Sequence, residues 1–308
     1  MYYINGDYVS DESATIAITD LGILRGYGVF DYLRTYGGKP FHLQDHLERL
    51  AYSAMTLGFT LSLPLHQIAE IISTLLQKNN YLESAIKIIA TGGISPDQFL
   101  PSGPSSLMVL VYPLKTFPEI SYIDGISVAT TSLQRSFPWA KTLHYAPAIV
   151  ALQQGKSIHA EEILYLNHRK EFLEAATSNL FVVKERKLLT TPETADILIG
   201  ITRNLVLRLM DPYLEIEQRM ISLDELMECD ELFITSSTRE VMPVAKVNGI
   251  PVSHAVGPIT KQIMQHFSYY TAQEEWPSLK IPRYQEALGS VDRKDHDVES
   301  LSHPSFVV

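Results

Sequence analysis

The chain has 308 residues, of which 45% are hydrophobic and 19% charged, and its formal net charge is −10. That length supports about two domains with sizeable cores, and the acidic balance argues against a general nucleic-acid binder, which needs a clustered positive surface. No apolar run reaches the length of a membrane span, the longest being strand-sized stretches such as "LMVLVY" at 107–112.

The N-terminus "MYYINGDYVS" lacks the basic and apolar regions of a secretory signal. Cys229, the single cysteine, cannot pair within the chain, so a reduced, cytoplasmic setting is expected. Short strands joined by glycine turns open the chain ("YYING", "DYVS", "GVFDYLRTYGGKPF"). Apolar residues at helical spacing follow at 43–59 and 65–80. "SAIKIIAT" and "SLMVLVYPL" read as strands around a Gly/Pro/Ser loop at 92–106, and the texture changes to a linker at 115–125. Downstream come the strand "GISVATTS", the helical "APAIVALQQGKSIHA", the strand "EEILYLN" and a hairpin around Glu174. Then follow the helical "LIGITRNLVLRLMD", the strand "ELFITSS" and a last helix in "PITKQIMQHFSYY". The expected fold is α+β (mixed α/β) with two unequal lobes, over 1–118 and 119–275. A polar, weakly ordered tail is expected over 276–308.

Some residues carry possible chemistry. Glu174 stands beside apolar residues near a turn, so it must face water or hold a cationic partner. Lys141, in "FPWAKTLHYAP", has apolar flanks that would lower its pKa, and a neutral amine is the form that condenses with an aldehyde. "LIGITRN" sets Gly200 and Thr202 at a loop-to-helix junction suited to a phosphate, or to an ordinary cap at Thr202. "TSSTRE", at 235–240, is a second hydroxyl-rich turn competent to bind anions. His42 and His46 lack the spacing of a His-Glu-x-x-His site, so they read as surface or core residues and no metal is expected. Cys229 reads as a small, partly buried residue. Together these features supply a lysine for an aldehyde, two phosphate cradles and a carboxylate for a cationic ring, the set that pyridoxal 5′-phosphate needs.

In order, "HLERL", "KTLHY", "LEAATSNLF", "ILIGITRN" and "FITSSTREVMPV" make residues 1–270 resemble the class IV, fold-type IV pyridoxal-phosphate enzymes. These include branched-chain and D-amino acid aminotransferases and aminodeoxychorismate lyases. The resemblance implies a small N-terminal α/β lobe, a larger, β-barrel-like C-terminal lobe with helices, a cofactor in the cleft between them and a homodimer completing each site. It implies that Lys141 is the Schiff-base lysine and that Glu174 pairs with the protonated pyridine nitrogen. Arg49 then matches the phosphate arginine, with Ile201, Thr202, Ser236 and Ser237 as further phosphate contacts beside Gly200. Leu198 packs against the ring, Asn179 follows a Ser-Asn pattern, and Tyr145 falls near the lysine.

What would hold a substrate α-carboxylate is unusual here. D-amino acid enzymes have Arg-x-His after the "IKIIAT" strand, where this chain has Asp97 and Phe99. Branched-chain enzymes have Tyr-x-Arg within that strand, where this chain offers Lys87 with no tyrosine two residues before it. Arg25 and Arg34 are the remaining candidates. Strand alternation puts Phe30, Tyr32 and Arg34 on one face, and Thr238 is expected on the substrate side as well. The bland alternative has Arg34 capping its strand in solvent and Arg25 paired with Asp20 or Asp31. The altered trap tilts the expectation to a transaminase of D-amino acids, such as D-alanine or D-glutamate, with 2-oxoglutarate as acceptor. A branched-chain L-amino acid enzyme, an aminodeoxychorismate lyase and a non-catalytic cofactor-binding protein are the alternatives.

Overall fold

The structure, a computed structural model, describes residues 1–292. The first half of the chain runs β1 (Tyr2–Ile4), β2 (Asp7–Val9), α1 (Leu21–Arg25), β3 (Gly28–Tyr36), β4 (Lys39–Pro40), α2 (Leu43–Thr56), α3 (Leu65–Asn79), β5 (Ser84–Thr91) and β6 (Ser106–Pro113). Its strands form an antiparallel six-stranded sheet in the order β2-β1-β6-β5-β3-β4. Helices α2 and α3 cover one face. Leu47, Leu50 and Ala54 of α2, with Ile68, Ile72 and Leu75 of α3, meet Val29, Leu33, Ile86, Ile88 and Val109 in one dry cluster. Each fully buried aliphatic side chain there contributes about 1.5–3 kcal/mol.

Strand β3 alternates as its sequence predicts: Val29, Asp31, Leu33 and Thr35 are buried while Phe30, Tyr32 and Arg34 are only half-covered. The buried face is not wholly apolar, and the polar position Asp31 proves to matter below.

The second half contributes α4 (Glu119–Asp124), β7 (Ile126–Thr131), α5 (Ala146–Gly155), β8 (Glu162–Leu166), β9 (Phe172–Ala175), β10 (Asn179–Lys184), β11 (Lys187–Thr190), α6 (Ile201–Met210), β12 (Ile216–Gln218), α7 (Leu223–Met227), β13 (Glu231–Ser236), β14 (Glu240–Val247), β15 (Ile250–Pro251), α8 (Pro258–Thr271) and α9 (Pro282–Asp292). Its mixed sheet has the order β12-β11-β10-β13-β14-β7-β8-β9, with β15 pairing β14. Laid flat, five strand spacings would set β9 about 24 Å from β10. Only residues 176–178 join the two strands, and they span roughly 15 Å at most. The sheet must therefore curl, and Ala175 closes the turn by donating its N–H to the Ser178 carbonyl at 2.8 Å. The fold is mixed α/β with a half-barrel second sheet. Among the described residues no helix is long and apolar enough to cross a membrane.

After Glu275 the structure departs from the expected loose tail. Asp45 accepts hydrogen bonds from the Ser278 hydroxyl and the Leu279 N–H. Ile281 and Tyr284 are each 1% exposed. The polar composition of this stretch hides four anchors, Trp276, Leu279, Ile281 and Tyr284, which dock it onto α2 and the larger lobe. The remainder of the expected tail, 293–308, lies outside the described residues.

Candidate active site

Lys141 lies where the two sheets meet. Its carbonyl accepts from the Phe30 N–H at 2.9 Å, and Leu143 N–H donates to the Gly28 carbonyl at 2.9 Å, so the lysine segment is stitched to β3. Gly28 is required at that crossing, because a Cβ there would press into Leu143 and the Ala90 carbonyl. The Lys141 Nζ sits 4.9 Å from the centroid of the Phe30 ring. Burial, reinforced by the positive charge of Arg49, brings its pKa down to about 7, against the opposing pull of Asp31. The amine is thus available in its nucleophilic form near neutral pH.

Across the same cleft, Glu174 on β9 is 5% exposed. Arg135 donates to its Oε1 at 2.5 Å and the Leu198 N–H donates to its Oε2 at 3.1 Å. Arg135 is itself fixed by the carbonyls of Pro138 and Ala140. Burial raises the Glu174 pKa, and Arg135 works against that rise.

A third group is built to receive an anion. Arg49, 4% exposed, donates Nε and Nη2 to the two oxygens of Asp31, each at 2.8 Å, leaving Nη1 outside that pair. His46 shares Asp31 Oδ1 at 2.6 Å. Burial alone would raise the Asp31 pKa, but Arg49 and His46 outweigh it and hold the carboxyl well below its usual range. Facing this cluster, α6 starts at Gly200 with no side-chain cap, and its ladder begins only with the Asn204 N–H to Gly200 carbonyl bond. The N–H groups of Ile201 and Thr202 precede that ladder at the positive end of the helix, and both residues line the cleft. Ser236, Ser237 and Thr238 line it from the turn after β13. Two more hydroxyls, on Ser178 and Thr235, line the cleft buried and, among the described residues, without a hydrogen-bond partner. Buried hydroxyls are rarely left so. This donor set fits a phosphate, and with Lys141 and Glu174 it fits the whole of pyridoxal phosphate.

The structure brings Arg49, Lys141, Glu174, Asn179, Leu198, Gly200, Ile201, Thr202, Ser236 and Ser237 to one cleft, together with Phe30, Tyr32, Tyr145 and Thr238. Three expected substrate residues stand elsewhere. Arg25 is exposed at the end of α1, where its Nε donates to the Gln98 carbonyl and its guanidinium lies over Phe99. Helix α1 ends at Arg25 with Gly26 as its left-handed C-terminal cap, and the Arg25 side chain lies on the 92–105 loop rather than in the cleft. Arg34 is bound by Glu240 at 2.6 Å and borders a separate cavity. Lys87 does not line the cleft but stands behind it, its Nζ 5.0 Å from the centroid of the same Phe30 ring. Asp20 and Asp31 hold neither arginine: Asp20 caps α1 through the Gly22 N–H. Asp97 organises its own loop, accepting from Ser95, Phe99 and Leu100. His42 and His46 are buried carboxylate partners, and Cys229 is buried, its thiol pushed up to about 12 by desolvation.

Sequence reasoning missed Arg135, for which a basic residue six positions before Lys141 was the available signal. Ser178 and Thr235 stood inside the quoted Ser-Asn and "TSSTRE" motifs without being singled out, and Asp31 was read only as a possible partner for Arg25.

Residues 28–247 match the family described as Amino-transferase class IV. A D-alanine aminotransferase of Staphylococcus epidermidis is 30% identical over 278 residues, which is 87% of this chain and 96% of that protein. The branched-chain amino acid aminotransferase of Escherichia coli superposes with a TM-score of 0.82 at 26% identity, over 89% of this chain and 96% of that one. A pyridoxal-phosphate-bound hypothetical aminotransferase from Mycobacterium tuberculosis shares the fold, with a TM-score of 0.77 at 21% identity, over 89% of this chain and all of that one. With its lysine, carboxylate and anion cradle gathered in a single cleft, this chain belongs to the class IV aminotransferases.

Proposed function

We propose that the protein is a pyridoxal 5′-phosphate-dependent transaminase that moves an amino group from an amino acid to 2-oxoglutarate, with D-amino acids such as D-alanine and D-glutamate as preferred donors. The observation that carries cofactor use is the convergence in one cleft of a near-neutral lysine, a buried carboxylate and unpaired anion donors. When bound, the cofactor supplies an electron sink for the bond broken at the substrate α-carbon. The protein's residues do the rest. Lys141, available as the neutral amine near pH 7, is the group that would hold the cofactor's aldehyde carbon and, once displaced by the substrate amine, would carry the α-proton. Glu174 is the carboxyl that would face the ring nitrogen, and Arg49 with the start of α6 and Ser236–Ser237 would hold the phosphate.

Likeness does not choose the donor, since a D-alanine aminotransferase and a putative branched-chain-amino-acid aminotransferase are each 30% identical to this chain. The D-preference rests on Arg25, a cation on an exposed apolar face. Ile23 and Phe99 beside it are 57% and 67% exposed, and such a face marks an interaction surface. A second copy covering it would carry Arg25 toward another chain's cleft, where a carboxylate needs a cation. The branched-chain reading rests on a different observation, Lys87 standing behind Phe30 on β5.

Turnover of D- and L-alanine, D- and L-glutamate and L-leucine with 2-oxoglutarate, alongside sedimentation of the holoenzyme, tests this reading. Faster turnover of D-alanine by a dimer is the expected result. Preference for L-leucine would overturn it in favour of the branched-chain reading.

A further inference from the structure

The C-terminal segment reaches both elements that would grip the phosphate. Its Tyr284 hydroxyl donates to the Ile199 carbonyl at 2.6 Å. A trans peptide directs the carbonyl of one residue and the N–H of the next to opposite sides. Fixing the Ile199 carbonyl toward Tyr284 therefore turns the Gly200 N–H the other way, and that N–H meets no protein acceptor among the described residues. The turn so oriented is the one that opens α6. On its other side the Tyr284 ring packs on Tyr52 at 5.2 Å between centroids, and Tyr52 follows Arg49 by three residues on α2, nearly one helical turn.

Ile199, Ile201, Ile281 and Tyr284 form a small apolar cluster of their own, with Tyr52 against it. The segment is also pinned at the start of α2, where Asp45 accepts from Ser278 and Leu279. Arg283 adds a bond to the Glu193 carbonyl at 2.5 Å.

We propose that the segment from Ser278 to Tyr284 is a clamp that holds the Arg49 helix and the turn before α6 in phosphate-binding register, so that retention of a phosphorylated ligand depends on Tyr284, a positioning residue that touches no ligand. This rests on the reading of the cleft as a pyridoxal phosphate site. A clamp on the phosphate end should affect ligands that carry a phosphate and spare those that do not.

Full-length Tyr284→Phe keeps the ring and removes the hydroxyl. Titrated as apoprotein, it should bind pyridoxal phosphate about three- to tenfold more weakly than the parent, the range for one lost hydrogen bond. Its affinity for unphosphorylated pyridoxal should stay unchanged. In the parent, adding pyridoxal phosphate should slow amide exchange across 281–288. A parent that takes up no pyridoxal phosphate overturns the cofactor reading and the clamp together. A parent that binds it, with Tyr284→Phe equal to it, overturns the clamp alone, as does an equal loss of affinity for pyridoxal. Should the variant fail to fold, absence of added exchange protection over 281–288 in the parent overturns the clamp by itself.

Discussion

Arg135 and Glu174 lie 39 residues apart in the chain and meet at 2.5 Å beneath the cleft. The pair settles the charge state of a buried carboxylate. Desolvation pushes the Glu174 proton on, and the guanidinium pushes it off. Arg135→Ala removes one partner of a buried pair, a change worth about 3–5 kcal/mol. Glu174 should then stay protonated to higher pH, and the acid limb of the kcat profile should move upward. Arg135→Lys should restore part of the shift. An unmoved acid limb would show that Arg135 only supports its loop. Glu174→Gln should still bind cofactor but turn over far more slowly, with Glu174→Asp between it and the parent.

Lys141→Ala should lower transamination by several orders of magnitude, because one group supplies both the nucleophile and the proton carrier. Near-normal single-turnover rates in this variant would remove Lys141 from the mechanism.

The same amine predicts a pH dependence of stability. Its folded pKa, about 7, lies below the ordinary lysine value of 10.5. Between these values the unfolded chain holds a proton that the folded chain has lost, so stability rises with pH across that window. Below pH 7 the cost of burying the ammonium is fully present. Denaturant unfolding of apoprotein at pH 7, 8.5 and 10 should show parent and Lys141→Met converging as pH increases. A constant gap between the two would contradict the depressed pKa.

Gly200→Ala tests the cradle by crowding it. A Cβ at this position would overlap Asn179 Oδ1, and Asn179 is tied down through its amide to the Leu198 carbonyl at 2.8 Å. Overpacking of this kind costs about 1–3 kcal/mol. Thermal melting should fall, and pyridoxal phosphate affinity should fall with it. A variant that binds the cofactor as tightly as the parent would mean that Asn179 can swing away.

Arg25→Ala and Lys87→Ala separate the two carboxylate readings. Arg25→Ala should raise KM for donor and acceptor by the loss of one partner of a charge pair, about 2–5 kcal/mol if that pair is dry, and cofactor affinity should hold. A steep KM rise in Lys87→Ala with none in Arg25→Ala would place the carboxylate site on β5.

Lys141, Glu174 and the α6 junction were legible as parts of one cleft because each sits in a short motif, an apolar-flanked lysine, a hairpin and a loop-to-helix junction, whose order along the chain resembles one family. The face of β3 that carries Phe30 and Tyr32 was legible from two-residue alternation. Arg25 was misplaced within the single chain because side-chain direction at a helix end depends on the loop opposite, here Gln98 and Phe99. Asp31 was read as a possible partner for Arg25, because its actual partners, His46 and Arg49, lie on another element. In the last segment, composition averaged away a few well-placed apolar side chains. Contacts at long separation leave no period to read.

The main chain around Lys141 bonds to β3, while the Ala140 carbonyl one residue earlier is held by Arg135 and so by Glu174 on the second sheet. The lysine is thus a bolt through two plates. A motion that parted the two sheets would load the peptide bonds on either side of the reactive amine together with the Arg34–Glu240 ion pair, so the reach of the amine and the width of the cleft are mechanically linked.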